Sequence, residues 1–271
     1  MTFSAGQTFT QIRRFSQSDF DRFAALSGDS NPIHVDADFS AHTKFGATVA
    51  HGMLLYSAVL GAIRKFVPGD FVQQWQTLMF PNPTFTGTDV SIELMVTRAK
   101  SDLIRLETTT HNPNDTTGLQ GETELRRAAA PNAVLPQSAP AESAAALKGI
   151  ALGDTARVRR AFSAADLREF AALAGLDGAP DFVPGPLVGG LFSYLLGMEL
   201  PGRGTNYLKQ SLYFARAIPV GETLTATLEV IRIRPEKELV NLRTTCTAAD
   251  GGIVCAGEAL VWVSDVVIIH R

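Results

Sequence analysis

Residues 23–56 read FAALSGDSNPIHVDADFSAHTKFGATVAHGMLLY, and the organisation of the whole chain follows from this stretch. An apolar run at helical spacing ends at Ser27-Gly28, and a polar loop follows with Asp29, Asn31, Pro32 and His34. Ala50-His51-Gly52-Met53 then opens a second run that is almost wholly apolar. A carboxylate and an imidazole five residues apart on a proline-stiffened loop can work as a general acid/base pair. The backbone N–H groups that begin the apolar helix can donate to an oxyanion.

Upstream, Ser16-Gln-Ser-Asp19 has the spacing of a helix start with an acid in its first turn, and Phe20, Phe23, Ala24 and Ser27 recur on one face. Downstream, the apolar helix spans residues 52–66 and is closed by Pro68-Gly69. The texture then becomes strand-like over 77–83, 89–99, 103–111 and 119–126, with a clear turn at Asn112-Pro-Asn-Asp115. Residues 128–146 are Ala/Pro/Ser-rich and read as a linker that need not pack.

Beyond the linker the pattern starts again. Phe162-Ser163-Ala-Ala-Asp166-Leu-Arg-Glu-Phe170-Ala-Ala-Leu173-Ala-Gly175 matches Phe15-Ser16-Gln-Ser-Asp19-Phe-Asp-Arg-Phe23-Ala-Ala-Leu26-Ser-Gly28. Gly189-Gly190-Leu-Phe-Ser-Tyr194 resembles His51-Gly52-Met-Leu-Leu-Tyr56, and residues 214–221 echo 80–87. The chain is therefore a duplication: a first repeat over 1–127, a linker over 128–148 and a second repeat over 149–271. A helix followed by several strands predicts an α+β unit, an antiparallel sheet packed on that helix. A sheet edge of one copy can continue into the other and so remove an exposed edge. The second copy keeps the apolar positions but not the polar ones: Leu176 stands opposite Asp29, and Gly189 opposite His51. A loop that served only as a turn would be needed equally in both copies, so the working site is expected in the first.

Composition narrows the function. A hydrophobic content of 45% with 19% charged residues describes a globular chain rather than a disordered one. A net charge of −3 with no basic patch gives no case for nucleic acid. The longest apolar stretch, 49–67, contains His51, Arg64 and Lys65 and reads as a buried helix, not a membrane span. The N-terminus lacks the apolar core of a secretory signal, and the two cysteines, Cys246 and Cys255, form no CxxC. A cytoplasmic protein is expected. The histidines lack the spacing of a common metal motif, so no metal is expected.

The run Gly28-Asp29-Ser30-Asn31-Pro32-Ile33-His34, with His51-Gly52-Met53 downstream, resembles the MaoC-like, (R)-specific enoyl-CoA hydratase family, whose G-D-x-N-P-x-H signature it matches throughout. The duplicated layout is similar to that family's double hot-dog members, in which each antiparallel sheet wraps around one long helix, here 52–66 and 190–200. The resemblance implies reversible hydration of a trans-2-enoyl-CoA to an (R)-3-hydroxyacyl-CoA. It implies Asp29 and His34 as the catalytic pair, Asn31 as an orienting residue and the Gly52 N–H as the oxyanion donor. His51 and Ser57 are the candidates for substrate contact, Ser57 being the nearest serine on the helix where family members carry one. No cofactor is implied; the partner is an acyl-CoA or acyl-carrier-protein thioester, and a homodimer of fused chains is expected. Lys44, Arg203, Lys209 and Arg216 are the basic groups considered for the phosphates of CoA. The rival readings are a hot-dog thioesterase and a non-catalytic acyl-thioester module or structural subunit of a dehydratase complex. One departure is that some double hot-dog relatives carry the signature in the C-terminal half.

Overall fold

The computed structural model describes residues 3–67, 69–127 and 146–266, so all but the last three residues of the linker over 128–148, and His270, lie outside the described residues. Each repeat begins with an edge strand and a capped helix. Strand β1 (Thr8–Arg14) leads to helix α1 (Gln17–Ser27), and β6 (Thr155–Ala161) leads to α5 (Ala164–Ala174). Both helices start with a reciprocal capping box, Ser16 with Asp19 and Ser163 with Asp166, and both stop at a left-handed glycine, Gly28 at φ 83° and Gly175 at φ 70°. In the first repeat α1 is followed by α2 (Pro32–Val35), α3 (Ala37–Ala41) and the central helix α4 (Gly52–Phe66). The second repeat passes straight from α5 to α6 (Gly185–Tyr194), which runs on into a π-helical turn, Leu195–Glu199.

The strands form one ten-stranded antiparallel sheet. The first repeat supplies β1, β2 (Phe71–Met79), β3 (Asp89–Ala99), β4 (Leu103–His111) and β5 (Thr117–Arg127). The second supplies β6, β7 (Asn206–Phe214), β8 (Thr223–Arg234), β9 (Leu239–Thr247) and β10 (Ile253–Trp262). Their order, β1-β3-β4-β5-β2-β7-β10-β9-β8-β6, reads the same from both ends. The repeats meet at β2 and β7, paired from Trp75–Tyr213 to Met79–Lys209 about a centre at Thr77–Ser211. Among the described residues no helix is long and apolar enough to cross a membrane.

Helix α4 is apolar all round because it is enclosed: Met53 to Ile63 are all buried, between the sheet and the helices of the other repeat. Gly61 makes that approach feasible, since a Cβ there would lie 1.8 Å from the carbonyl oxygen of Ala174 on α5. One continuous apolar core runs through both repeats.

Two expectations need correction. The strand expected over 77–83 lies at Phe71–Met79 instead. Pro81 and Pro83 cannot donate to a ladder and end it, and the buried Gln76 obscures its apolar alternation. The second central helix, expected over 190–200, starts at Gly185. The backbone shows why the repeats align five residues away from the expected place. The Val183 N–H bonds Ile218 (2.9 Å) as the Ala50 N–H bonds Thr84 (2.8 Å). A Cβ on Gly185 would meet Phe214 at 2.5 Å as one on Gly52 would meet Phe80 at 2.6 Å. Pro184-Gly185 thus stands where His51-Gly52 stands, and Tyr56 and Tyr194 are not equivalent. Tyr56 is fully buried and donates to Gln73 (2.5 Å), whereas Tyr194 donates to Glu199 (3.0 Å).

The Gly61 contact is testable. Gly61→Ala is expected to destabilise the protein by about 2 kcal/mol and lower Tm by at least about 4 °C, despite alanine's better helix propensity. Gly178→Ala, whose Cβ would meet nothing within 4 Å, is the control, with Tm unchanged to within about 1 °C. Equal melting of the two variants would show that the contact is not limiting.

Candidate active site

The polar loop is built by local hydrogen bonds. Ser27 Oγ donates to the Phe23 carbonyl (2.8 Å) and accepts from the Asp29 N–H (3.1 Å), turning the chain sharply after Gly28. Asn31 caps α2, with Pro32 in the first helical position, where its missing N–H costs nothing. One helical turn then brings His34 back beside Asp29. Asp29, Asn31 and His34 are 2%, 3% and 8% exposed, so this loop is interior structure rather than a solvated turn.

The two imidazoles are held in defined states. His34 Nδ1 lies 2.7 Å from the Val49 carbonyl, which can only accept, so Nδ1 carries the proton and Nε2 the lone pair. Burial lowers the pKa of His34, opposed by the Asp29 carboxylate. His51 Nε2 donates to the backbone carbonyl of Asp29 (2.8 Å), and its ring stacks on that of His34 with centroids 3.7 Å apart. Burial and the neighbouring His34 push His51 down to about 3.

The second repeat completes the site. Ser193 on α6 donates to Asp29 Oδ2 at 2.6 Å, and a Cβ on Gly197 would lie 3.2 Å from Asp29 Oδ1. Around them is a cleft of about 350 Å³, within the usual size of a small-molecule site. Asp29, Asn31, His34, Gly52, Leu55 and Phe80 line it from the first repeat, and Ser193, Leu196, Gly197, Thr205, Tyr207 and Trp262 from the second. Gly52 is the first residue of α4, so its N–H has no partner within the helix, and a Cβ there would lie 2.6 Å from the Phe80 ring. The site is therefore shared between the repeats, not confined to the first.

Asp29, His34, Asn31 and Gly52 thus converge on one cleft. The two candidates for substrate contact do not. His51 is fully buried and does not line the cleft; it fixes the Asp29 backbone and backs the His34 ring. Ser57 is also fully buried, with its hydroxyl turned back onto the Met53 carbonyl (2.8 Å). The serine that reaches the site, Ser193, was hidden by the five-residue misalignment, which set it opposite Leu55. Aligned at Gly52 and Gly185, it takes the place of Leu60, two turns along the central helix. Asp29, His34 and His51 bring potential metal-ligand atoms within 4.8 Å of one another. Of the ring nitrogens, His34 Nδ1 is engaged by the Val49 carbonyl and His51 Nε2 by the Asp29 carbonyl.

Acid stability follows from the lowered imidazoles. Below its ordinary pKa of 6.5, His51 takes a proton in the unfolded chain that the folded chain refuses until about pH 3. Stability that is complete above pH 6.5 is therefore lost as pH falls through that window, by up to about 1.4 kcal/mol per pH unit, and His34 acts in the same direction. Urea unfolding between pH 7 and pH 4.5 is expected to show a shallower loss in His51→Gln than in wild type. Identical slopes would mean that other groups dominate.

The model of the MaoC like domain matches residues 3–117. An (R)-specific enoyl-CoA hydratase of Aeromonas caviae is 37% identical over 128 residues, covering 42% of this chain and 96% of that protein. One from Rhodospirillum rubrum is 38% identical over 126 residues, covering 41% of this chain and 86% of its own length. Among solved structures, RV0216 of Mycobacterium tuberculosis, described as a double hot-dog fold, superposes with a TM-score of 0.73 at 17% identity over 96% of this chain and 97% of that one. A MaoC-like dehydratase superposes with a TM-score of 0.72 at 15% identity, covering 96% and 98%. These two likenesses speak to the fold alone: the ten-stranded sheet around two central helices is a double hot-dog. With the signature loop, the family model and hydratases matched over nearly their full length, the chain belongs to the MaoC-like family.

Proposed function

We propose that the protein catalyses reversible syn addition of water across a trans-2-enoyl-CoA, giving an (R)-3-hydroxyacyl-CoA. The observation that carries this reading is the cleft itself, where the Asp29 carboxylate and the His34 Nε2 lone pair share a wall with the unpaired N–H of Gly52. Hydration of an α,β-unsaturated thioester needs a base for water, a proton for Cα and a sink for charge on the thioester oxygen. Asp29 and His34 meet the first two needs: the water proton goes to the pair, the water oxygen bonds Cβ, and a proton from the same pair reaches Cα. Delivery of both from one wall makes the addition syn. Gly52, at the positive end of α4, holds the enolate oxygen, a contact of a kind worth roughly 3 kcal/mol. Ser193 holds one Asp29 oxygen, and Asn31 orients the loop. Water is the second reactant, and the reaction calls for no cofactor or metal. The working unit we propose is a homodimer of fused chains acting in the cytoplasm.

The test follows crotonyl-CoA by loss of its enoyl-thioester absorbance, with the product offered to an (S)-specific 3-hydroxyacyl-CoA dehydrogenase. Wild type is expected to consume the substrate and give a product the dehydrogenase refuses. Asp29→Asn and His34→Ala are expected to lose roughly 10²–10⁴-fold in kcat, and Ser193→Ala about tenfold. The lowered pKa of His34 keeps its base form populated below pH 6.5, so activity should persist there before falling in acid. Release of free thiol would favour the thioesterase instead. Binding without turnover of any enoyl-CoA chain length would favour the non-catalytic module.

A further inference from the structure

At the mouth of the cleft a single cation is held by a carboxylate from the far end of the chain. Lys44, from the connection after α3, lines the cleft together with Trp262, the last residue of β10. Its Nζ lies 2.8 Å from Asp265 Oδ2 and 4.3 Å from the centroid of the Trp262 ring. Among the described residues no other lysine or arginine lines this cleft. Of the other basic residues considered for phosphate, Lys209 lines a groove that shares no residue with the cleft, Arg216 is engaged by Glu222 and Asp250, and Arg203 is exposed and does not line the cleft, although its neighbour Thr205 does.

The pair is set to open. Both side chains are about half exposed, 41% for Lys44 and 52% for Asp265, and an ion pair that wet contributes at most about 1 kcal/mol. The backbone that presents Asp265 is tied down: Lys148 donates to the carbonyls of Val263 and Ser264, the Val263 N–H bonds Glu238 (2.9 Å), and Gly204 packs against the Asp265 carbonyl. Asp265 is thus fixed at the mouth, while Lys44 reaches it on a flexible stem and rests over an indole face that retains a cation when the carboxylate is displaced.

Resting on the proposed reaction, the geometry points to Lys44 as the ligand of a phosphate on the carrier arm of the substrate, with Asp265 as an internal competitor which that phosphate displaces. An acyl group bound at Asp29 and His34 must send its carrier out through the mouth, and the carrier brings the strong anion that Lys44 lacks in the free protein. Two carriers offer it: the diphosphate of coenzyme A and the phosphodiester of a protein-bound phosphopantetheine. Asp265 sets the affinity by charging each binding event the loss of its own ion pair.

The experiment compares wild type, Lys44→Gln and Asp265→Asn on crotonyl-CoA, a crotonyl-phosphopantetheinyl carrier protein and S-crotonyl pantetheine, which has no phosphate. Lys44→Gln is expected to raise KM about tenfold for the phosphate-bearing thioester with kcat little changed, and to shift KM for the pantetheine thioester less than about twofold. Asp265→Asn is expected to lower KM for the same phosphate-bearing thioester about threefold, and both effects should shrink at high salt. Whichever of the two phosphate-bearing substrates responds identifies the carrier. Equal shifts with and without phosphate, no shift in any arm, or a rise in KM in Asp265→Asn would overturn the assignment. The dissociation constant of coenzyme A itself, measured calorimetrically, gives a readout without turnover. If wild type turns over no thioester, the reaction reading fails, while an unchanged affinity of Lys44→Gln for both coenzyme A and the phosphopantetheinyl carrier protein separately removes the role of Lys44.

Discussion

The antiparallel pairing of β2 with β7 is the constraint on which the rest depends. Each repeat alone would present its innermost strand as an open edge, with a row of unpaired backbone donors and acceptors. Joining the edges about Thr77–Ser211 makes one sheet and places each central helix against the capped helix of the other repeat. Glycines on the neighbouring strands let each seam strand pack closely within its own repeat: a Cβ on Gly121 of β5 would strike the Thr77 carbonyl at 1.8 Å, and one on Gly257 of β10 the Ser211 carbonyl at 1.8 Å. The buried seam glutamines are satisfied in the same way in each half. Gln76 donates to Thr108 and the Thr77 carbonyl, and Gln210 to Thr244 and the Ser211 carbonyl. This symmetry delivers Ser193 to Asp29, so the contact at the centre of the site is a consequence of the sheet.

Within that frame the loop withstands a cost that most loops avoid. Asp29, Asn31, His34 and His51 are all buried, and a buried polar group without partners costs several kcal/mol. The site offsets this with backbone carbonyls: Val49 takes the His34 proton and Asp29 that of His51, which leaves both imidazoles neutral. His51 Nδ1 is the atom left over, buried and without a hydrogen-bond partner among the described residues. His51 therefore works as a scaffold whose own ionisation is suppressed. Its stacking fixes the plane in which His34 presents Nε2 to the cleft.

Much of this could be read from residues alone, because the signals were local. Ser16 with Asp19 and Ser163 with Asp166 announce helix starts through bonds three residues apart, and α4 is observed at Gly52–Phe66, where its apolar run and flanking Pro68 set it. The polar loop was legible for the same reason, being a short unit of capping and turn residues. What failed was register over distance. The five-residue error in α6 came from matching glycine and tyrosine side chains, while the true correspondence is set by backbone bonds from Ala50 and Val183 to partners more than thirty residues away. Ser193 was lost with it, since a serine on an apolar helix carries no signal until its neighbour across the repeats is known.

That correspondence also explains why one site exists and not two. The connection between the capped helix and the central helix runs over 29–51 in the first repeat and only 176–184 in the second, a deficit that removes α2, α3 and the histidines together. The places of Asp29 and Ser193, carried by the repeat symmetry, are held by Leu176 and Leu60. Leu60 is buried and Leu176 packs against the core, so the second location has been filled with apolar side chains rather than left as an unsatisfied copy. Replacing a buried polar pair by apolar side chains at both positions is energetically easy, whereas losing one member alone strands the other. The duplication thus allowed each repeat to keep one half of a single site, the acid–base loop in the first and the supporting helix in the second. Neither half has a reason to persist without the other.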